Sequence, residues 1–117
     1  MRGNQGSVNE ALRFYNVKNY EAALAEFDKI QVDSINDTIL FYQAVSALAT
    51  AKLDLAIENF NTLRAYKDNT FWVQTKWYLS LALWQAGKLE EATDLLETVE
   101  ENEKDYEKAQ DLLSRLE

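Results

Sequence analysis

Large apolar residues recur at spacings of three and four along most of this 117-residue chain, and short polar segments interrupt them at intervals. That spacing places the apolar side chains on one face of an α-helix. The stretch 76–92, KWYLSLALWQAGKLEEA, shows it most clearly: one helix, a glycine stop and the beginning of a second helix. The whole pattern predicts about seven helices. The three glycines and the absence of proline leave too few turn residues for a β-sandwich or barrel.

Polar residues with capping preferences mark the predicted helix ends. Ser7 and Glu10 have the spacing of a capping box, which predicts that the first helix begins at Ser7. Asn19 is expected to cap the second helix, and Asn36 or Asp37 the third. The helices are predicted at residues 7–17, 20–30, 38–50, 53–63, 71–86, 89–100 and 105–117, with turns at 33–37 and 67–70.

Three alanines occupy equivalent places in three successive helix pairs, because Ala23, Ala56 and Ala92 lie 33 and 36 residues apart. A small residue precedes each alanine and large residues flank it at fixed distances. The matching sets are Ala11, Ala44 and Ser80 twelve before; Tyr20, Leu53 and Leu89 three before; Phe27, Phe60 and Leu96 four after; and Ile30, Leu63 and Val99 seven after. Small residues let two helix backbones approach, and large residues fill the grooves beside the contact. A generic bundle stays possible, but three ordered copies favour an array of helical hairpins.

These sets resemble the later part of the tetratricopeptide repeat (TPR) signature, in which Tyr or Leu is followed by Ala and then by an aromatic residue. The matching segments are Tyr20–Ala23–Phe27–Ile30, Leu53–Ala56–Phe60–Leu63 and, with leucine at the aromatic place, Gly87–Leu89–Ala92–Leu96–Val99. The resemblance covers about residues 4–105, and residues 105–117 are similar to the family's capping helix. It implies an all-α fold, namely a right-handed α-α superhelix of antiparallel helix pairs.

The resemblance also predicts how the chain is divided. Residues 1–6 are expected to be flexible, and residues 7–117 to form a single TPR-like domain. Its parts are repeats at about 4–36, 37–70 and 71–104 and a capping helix at about 105–117.

The chain departs from the family at its hairpin turns. Only Gly87 is a glycine there, and Lys18 and Ala51 stand at the two earlier turns. If these two residues are left-handed, each costs roughly 1 kcal/mol. The proline that usually closes a repeat is absent, and the second alanine spacing is 36 residues where the family has about 34.

Composition argues against several kinds of chemistry. Without cysteine there can be no disulfide or zinc–thiolate site, and without histidine the commonest base near neutral pH is missing. Adjacent carboxylates such as Glu90 and Glu91 point in different directions on a helix, so they do not converge on an acid–base site. We therefore expect no enzymatic activity, no metal site and no cofactor.

The net charge of −8 is concentrated near the end of the chain, because residues 88–117 contain eleven acidic and four basic residues. An acidic surface repels phosphate groups, so neither nucleic acid nor an anionic membrane is expected as a partner. No apolar run approaches the roughly 18 residues of a membrane span, and no direct membrane insertion is expected. The compartment stays open: cytoplasmic, or periplasmic if the chain comes from an anchored parent.

A second apolar stripe runs along the first helix of each hairpin, beside the stripe that faces its partner helix. The TPR resemblance implies that this second stripe lines a concave face. Its residues are Val8, Leu12 and Tyr15, then Phe41, Val45 and Leu48, then Gln74, Trp77, Leu81 and Trp84. Two interpretations remain open: a groove for an extended or helical peptide, with aromatic anchors worth about 2 kcal/mol each, or ordinary core.

These patterns favour a non-enzymatic module that binds a peptide or protein segment in an apolar, aromatic groove. The alternative is a structural or self-association domain, possibly a homo-oligomer or the soluble tail of a larger membrane-anchored protein. The family's clamp on a terminal carboxylate is not expected, because its places hold Val8, Leu12, Phe41 and Val45, which cannot grip a carboxylate.

Overall fold

The structure is a computed structural model that describes residues 3–30, 36–65 and 71–116. Within these ranges the chain forms seven helices and no strands: α1 (Gly3–Asn16), α2 (Tyr20–Phe27), α3 (Asp37–Ala49), α4 (Leu53–Arg64), α5 (Trp72–Gln85), α6 (Leu89–Leu96) and α7 (Tyr106–Leu116). Each helix packs against the next, and the leading helices also touch, α1 with α3 and α3 with α5. The chain is therefore an all-α, helical-repeat fold, as predicted, with extents of 51 × 27 × 22 Å.

The three hairpins α1–α2, α3–α4 and α5–α6 turn through the same backbone motif. Lys18, Ala51 and Gly87 have positive φ angles of 64°, 62° and 82°. In each turn this residue donates its N–H to the carbonyl three residues earlier, and the next residue donates to the carbonyl five residues earlier. These two hydrogen bonds define a Schellman motif. Lysine and alanine therefore adopt the glycine conformation at two of the three turns.

Small residues lie at the contact within each hairpin. All six positions predicted to be small are completely buried: Ala11 and Ala23, Ala44 and Ala56, and Ser80 and Ala92. The large residues four positions after the alanines, Phe27, Phe60 and Leu96, are also buried. The three alanines thus occupy equivalent environments, because the same close approach of two helices recurs in each pair.

Most predicted helix ends agree with the structure. Asn19 accepts a hydrogen bond from the Ala22 N–H at 3.3 Å, and Asn36 caps α3 by accepting one from the Ile39 N–H at 3.0 Å. α1 begins at Gly3, four residues before the predicted start. The side chain of Ser7, the turn at 67–70 and most of the turn at 33–37 lie outside the described residues.

Two trailing helices are shorter than predicted. α2 ends at Phe27 and α6 at Leu96, each three or four residues early. In both cases the chain continues in tighter turns, because Ile30 donates its N–H to the Phe27 carbonyl and Val99 donates to the Leu96 carbonyl. Ile30 and Val99 consequently still reach the core.

The core consists of three clusters arranged along the array. The N-terminal cluster is built on Ala11, Ala23, Phe27, Ile30 and Ile39. The central cluster is the largest and joins α3, α4 and α5 around Phe41, Phe60, Leu63 and Leu79. The C-terminal cluster brings Leu96 and Val99 together with Ala109 and Leu112 of α7. These clusters decide which parts of the second apolar stripe remain open.

Candidate binding surface

The stripe residues of α1 lie at the edge of the core. Val8 and Leu12 are half-buried against the N-terminal cluster. Tyr15 is also half-buried, and it packs on both the N-terminal and the central cluster. Its ring meets Tyr20 at 5.6 Å and Tyr42 at 4.6 Å between centroids, edge to face in both cases. This end of the stripe is therefore apolar and aromatic and only partly covered.

The stripe residues of α3 are mostly core. Phe41 and Val45 are 5% and 7% exposed. The Phe41 ring stacks on Phe71 at 4.5 Å and meets Tyr78 edge-on at 5.8 Å. These contacts form because α3 and α5 pack against each other, which closes the space over Phe41. Leu48, in the last turn of the helix, stays half-buried.

The stripe residues of α5 divide into a covered and an open part. Trp77 and Leu81 pack against the C-terminal cluster, which α7 completes, and Lys108 Nζ lies 5.8 Å from the Trp77 ring centroid. Gln74 is exposed. Trp84 is 38% exposed, which is high for so large an apolar side chain. α7 therefore covers the middle of the α5 stripe and leaves Trp84 accessible.

Three equivalent positions keep access to solvent in all three hairpins. Tyr15, Leu48 and Trp84 stand in the last turn of α1, α3 and α5, and none of them is fully buried. We call these three residues the end row. Because the leading helices contact one another in sequence, the end row follows the array from one helix to the next.

The leading helices that carry the end row contain few charged residues, although an exposed lysine follows each of them in the hairpin turn, at Lys18, Lys52 and Lys88. α3 contains one charged residue, Asp37, and α5 contains one, Lys76, which is buried. In α1, Glu10 and Arg13 form an ion pair with each other. The acidic residues of the array lie mainly on the trailing helices, where α6 alone carries three. The leading helices of this protein of net charge −8 thus carry only two acidic residues in their described ranges, Glu10 and Asp37.

Tyrosines beside the end row were not predicted as site residues. Tyr42 and Tyr78 are half-buried and stand 36 residues apart at equivalent places, a repetition that the alanine spacing could have revealed. Burial raises the pKa of Tyr15 to about 12, and neighbouring Tyr78, Tyr20 and Tyr42 add to the shift because one phenolate disfavours the next. Burial also raises the pKa of Tyr78, and the negative charge of nearby Asp105 adds to the shift. The hydroxyl groups of Tyr15 and Tyr78 are therefore neutral at physiological pH.

A scan against protein-family models finds no match to this chain, and a search among curated proteins finds no significant relative. The TPR resemblance therefore stays a prediction that rests on the residues themselves. No described helix is both long and apolar enough to cross a membrane. In the same ranges, no three acidic side chains come together as a metal site would require.

Proposed function

We propose that this chain is a non-enzymatic helical-repeat module, of the TPR type, that binds a peptide or protein segment on its leading-helix face. The observation that carries the proposal is the row of large apolar and aromatic side chains on leading helices that contain few charges, with Trp84 exposed at its end. Charged residues are depleted and aromatic residues enriched at the centres of protein interfaces.

The composition of the end row suits a segment with regularly spaced apolar residues. Tyr15, Leu48 and Trp84 offer one large side chain per hairpin, so a ligand would meet one apolar contact on each leading helix. Such spaced anchors are how helical and extended peptides are recognised in grooves. Trp84 is the expected dominant anchor, because tryptophan is over-represented among residues that contribute 2 kcal/mol or more to binding.

Selection from a random-peptide display library tests the proposal, because the library samples many peptide sequences and requires no identified partner. We expect selected peptides to be rich in aromatic and aliphatic residues and to contain few charges. Trp84→Ala should weaken their binding at least about 30-fold, which corresponds to roughly 2 kcal/mol. Val73→Ala is the matched control, because Val73 is 38% exposed, like Trp84, but lies in the first turn of α5, at the opposite end of the helix.

We expect both variants to keep their helical circular dichroism. Only Trp84→Ala should lose peptide binding. Equal binding by both variants would contradict the proposal. Selected peptides dominated by basic residues would do the same, because they would indicate binding to the acidic trailing helices.

Self-association is a second candidate, favoured by one observation. Leu89 is 48% exposed, and with Trp84 it occupies the places that Tyr15 and Tyr20 hold in the first hairpin, where the two rings touch. Trp84 and Leu89 thus form an apolar pair at the third turn that a second copy could cover. Sedimentation velocity over a wide concentration range decides this point: a dimer that Leu89→Ser dissociates supports it, and a monomer throughout excludes it.

A further inference from the structure

A small cavity lies where α4, α5 and α6 meet, away from the end row. It has a volume of about 230 Å³ and is lined by Arg64, Trp72, Lys76, Leu95 and Thr98. We propose that this cavity binds a small carboxylate that carries an apolar or aromatic body. The proposal is independent of the peptide-binding function, because the cavity shares no residue with the end row.

A buried cation lies in the wall of the cavity. Lys76 is 5% exposed, and its Nζ donates to Glu103 Oε2 at 2.8 Å and to the Thr98 carbonyl at 3.2 Å. The equivalent position in α3 is Leu40, so the hairpin can fill this place with an apolar residue. A buried ion pair is often no more stabilising than well-packed apolar residues. A lysine where the sister hairpin has leucine is therefore better explained by recognition than by stability.

Only one of the two cations that line the cavity is paired within the described residues. Arg64 is exposed and, within the ranges that the structure describes, forms no ion pair. Lys76 and Arg64 both line the cavity; the Lys76 charge is paired with Glu103, whereas the Arg64 charge stays available to a bound anion. The planar guanidinium of arginine can hold a carboxylate with two parallel hydrogen bonds. The contact with Glu103 shows that Lys76 already binds a carboxylate.

The remaining walls of the cavity are largely apolar. Trp72 and Leu95 provide apolar surface, and the Trp72 ring lies 6.0 Å from Lys76 Nζ. The volume equals that of roughly eight water molecules at about 30 Å³ each, which fits a molecule of the size of benzoate. The carboxylate would lie between the cations, and the body would rest on the indole.

Titration of the intact domain with sodium benzoate, followed by the indole N–H resonances of its three tryptophans in NMR, tests the proposal. Trp72→Phe identifies the Trp72 resonance, and sodium chloride keeps the ionic strength constant. We expect a saturable shift of that resonance with benzoate and none with benzamide, the neutral analogue. Sodium acetate, which lacks the aromatic body, should bind at least tenfold more weakly.

Two variants separate recognition from folding. Arg64→Gln removes an exposed cation and should weaken benzoate binding at least tenfold, whereas Lys88→Gln, which removes an equally exposed cation elsewhere, should leave it unchanged. Lys76→Leu combined with Glu103→Gln, which avoids an unpaired buried carboxylate, should keep the helical circular dichroism and abolish the shift. The proposal is overturned by any of three results: no saturation at tens of millimolar benzoate, equal shifts with benzamide, or equal binding by the Arg64 and Lys88 variants.

Discussion

The second hairpin (α3–α4) joins its helices with an amide pair, in which Asn59 Nδ2 donates to Gln43 Oε1 at 2.8 Å. In the third hairpin (α5–α6) the equivalent places hold Leu79 and Leu95, both buried. The two hairpins nevertheless turn through the same motif and bury the same pattern of small and large residues. One backbone design therefore accepts either a polar or an apolar pair at this contact.

The two hairpins also differ in what covers them. α5 packs over the second hairpin and buries Phe41, whereas the shorter α7 follows the third hairpin and leaves the equivalent Trp77 half-buried. The residue type at a repeat position thus fixes the packing inside a hairpin, and the next element along the chain fixes the exposure of its outer face. The predictions below test this division, beginning with the largest effect.

Truncating the large residue beside the alanine contact should cost the most. Phe60→Ala in the second hairpin removes a ring that meets both Phe41 and Tyr78 at 6.3 Å. We expect a loss of about 3–5 kcal/mol in the free energy of unfolding, and a loss toward the lower end of about 2–5 kcal/mol for Leu96→Ala in the third. Urea denaturation measures both. A loss below about 1 kcal/mol for Phe60→Ala would show that the hairpin contact is not tightly packed.

Replacing one member of the amide pair with leucine should destabilise the protein, whereas replacing both members should cost little stability. Asn59→Leu alone leaves the Gln43 carboxamide oxygen without its donor and should cost about 1–2 kcal/mol. Adding Gln43→Leu recreates the arrangement of the third hairpin and should recover most of that loss, although Gln43 also donates to Asp28. A double-mutant cycle by urea denaturation gives the coupling. Additive losses would mean that the two hairpins are not interchangeable.

Exchanging the turn residues should shift stability in opposite directions. Gly87→Ala forces a Cβ into a backbone with φ of +82° and should cost about 1 kcal/mol, although nothing lies within 4 Å of the added atom. Ala51→Gly relieves the same strain at φ of 62° and should stabilise the protein by up to about 1 kcal/mol. Thermal unfolding of both variants is the measurement. Stabilisation by Gly87→Ala would refute the shared turn geometry.

The smallest effect concerns alkaline pH. The pKa of Tyr15 is raised to about 12, so the folded state holds this proton more tightly than the unfolded chain. Its contribution to stability is complete below about pH 10 and is lost as the pH rises from 10 toward 12. The equivalent Leu48 and Trp84 carry no such proton. Tyr15→Phe should therefore flatten the decline of the urea midpoint between pH 9 and 11. An unchanged decline would show that other titrating groups cause it.

Much of the fold could be predicted because its determinants are local. The spacing of apolar residues, the capping Asn19 and the turn position of Gly87 all act within a few residues of one another. The repeat was visible because every hairpin must bring two backbones together, and only small residues such as Ala23 and Ala56 permit this.

The burial or exposure of the stripe residues could not be predicted from the sequence as well as the helices could. Whether Phe41 is core or groove depends on how α5 packs on α3, and whether Trp77 is open depends on α7. The buried pair of Lys76 and Glu103 joins residues 27 positions apart, which spacing alone does not reveal. The one signal in the sequence was a lone lysine in an otherwise uncharged helix.

Chemical-shift mapping of the domain with a display-selected peptide tests the central proposal most directly. The end row predicts the largest shifts at the Trp84 indole and at the backbone amides of Tyr15 and Leu48, all in the last turns of leading helices. Shifts confined to α2, α4 and α6 would contradict the proposal, because binding would then occur on the charged trailing helices.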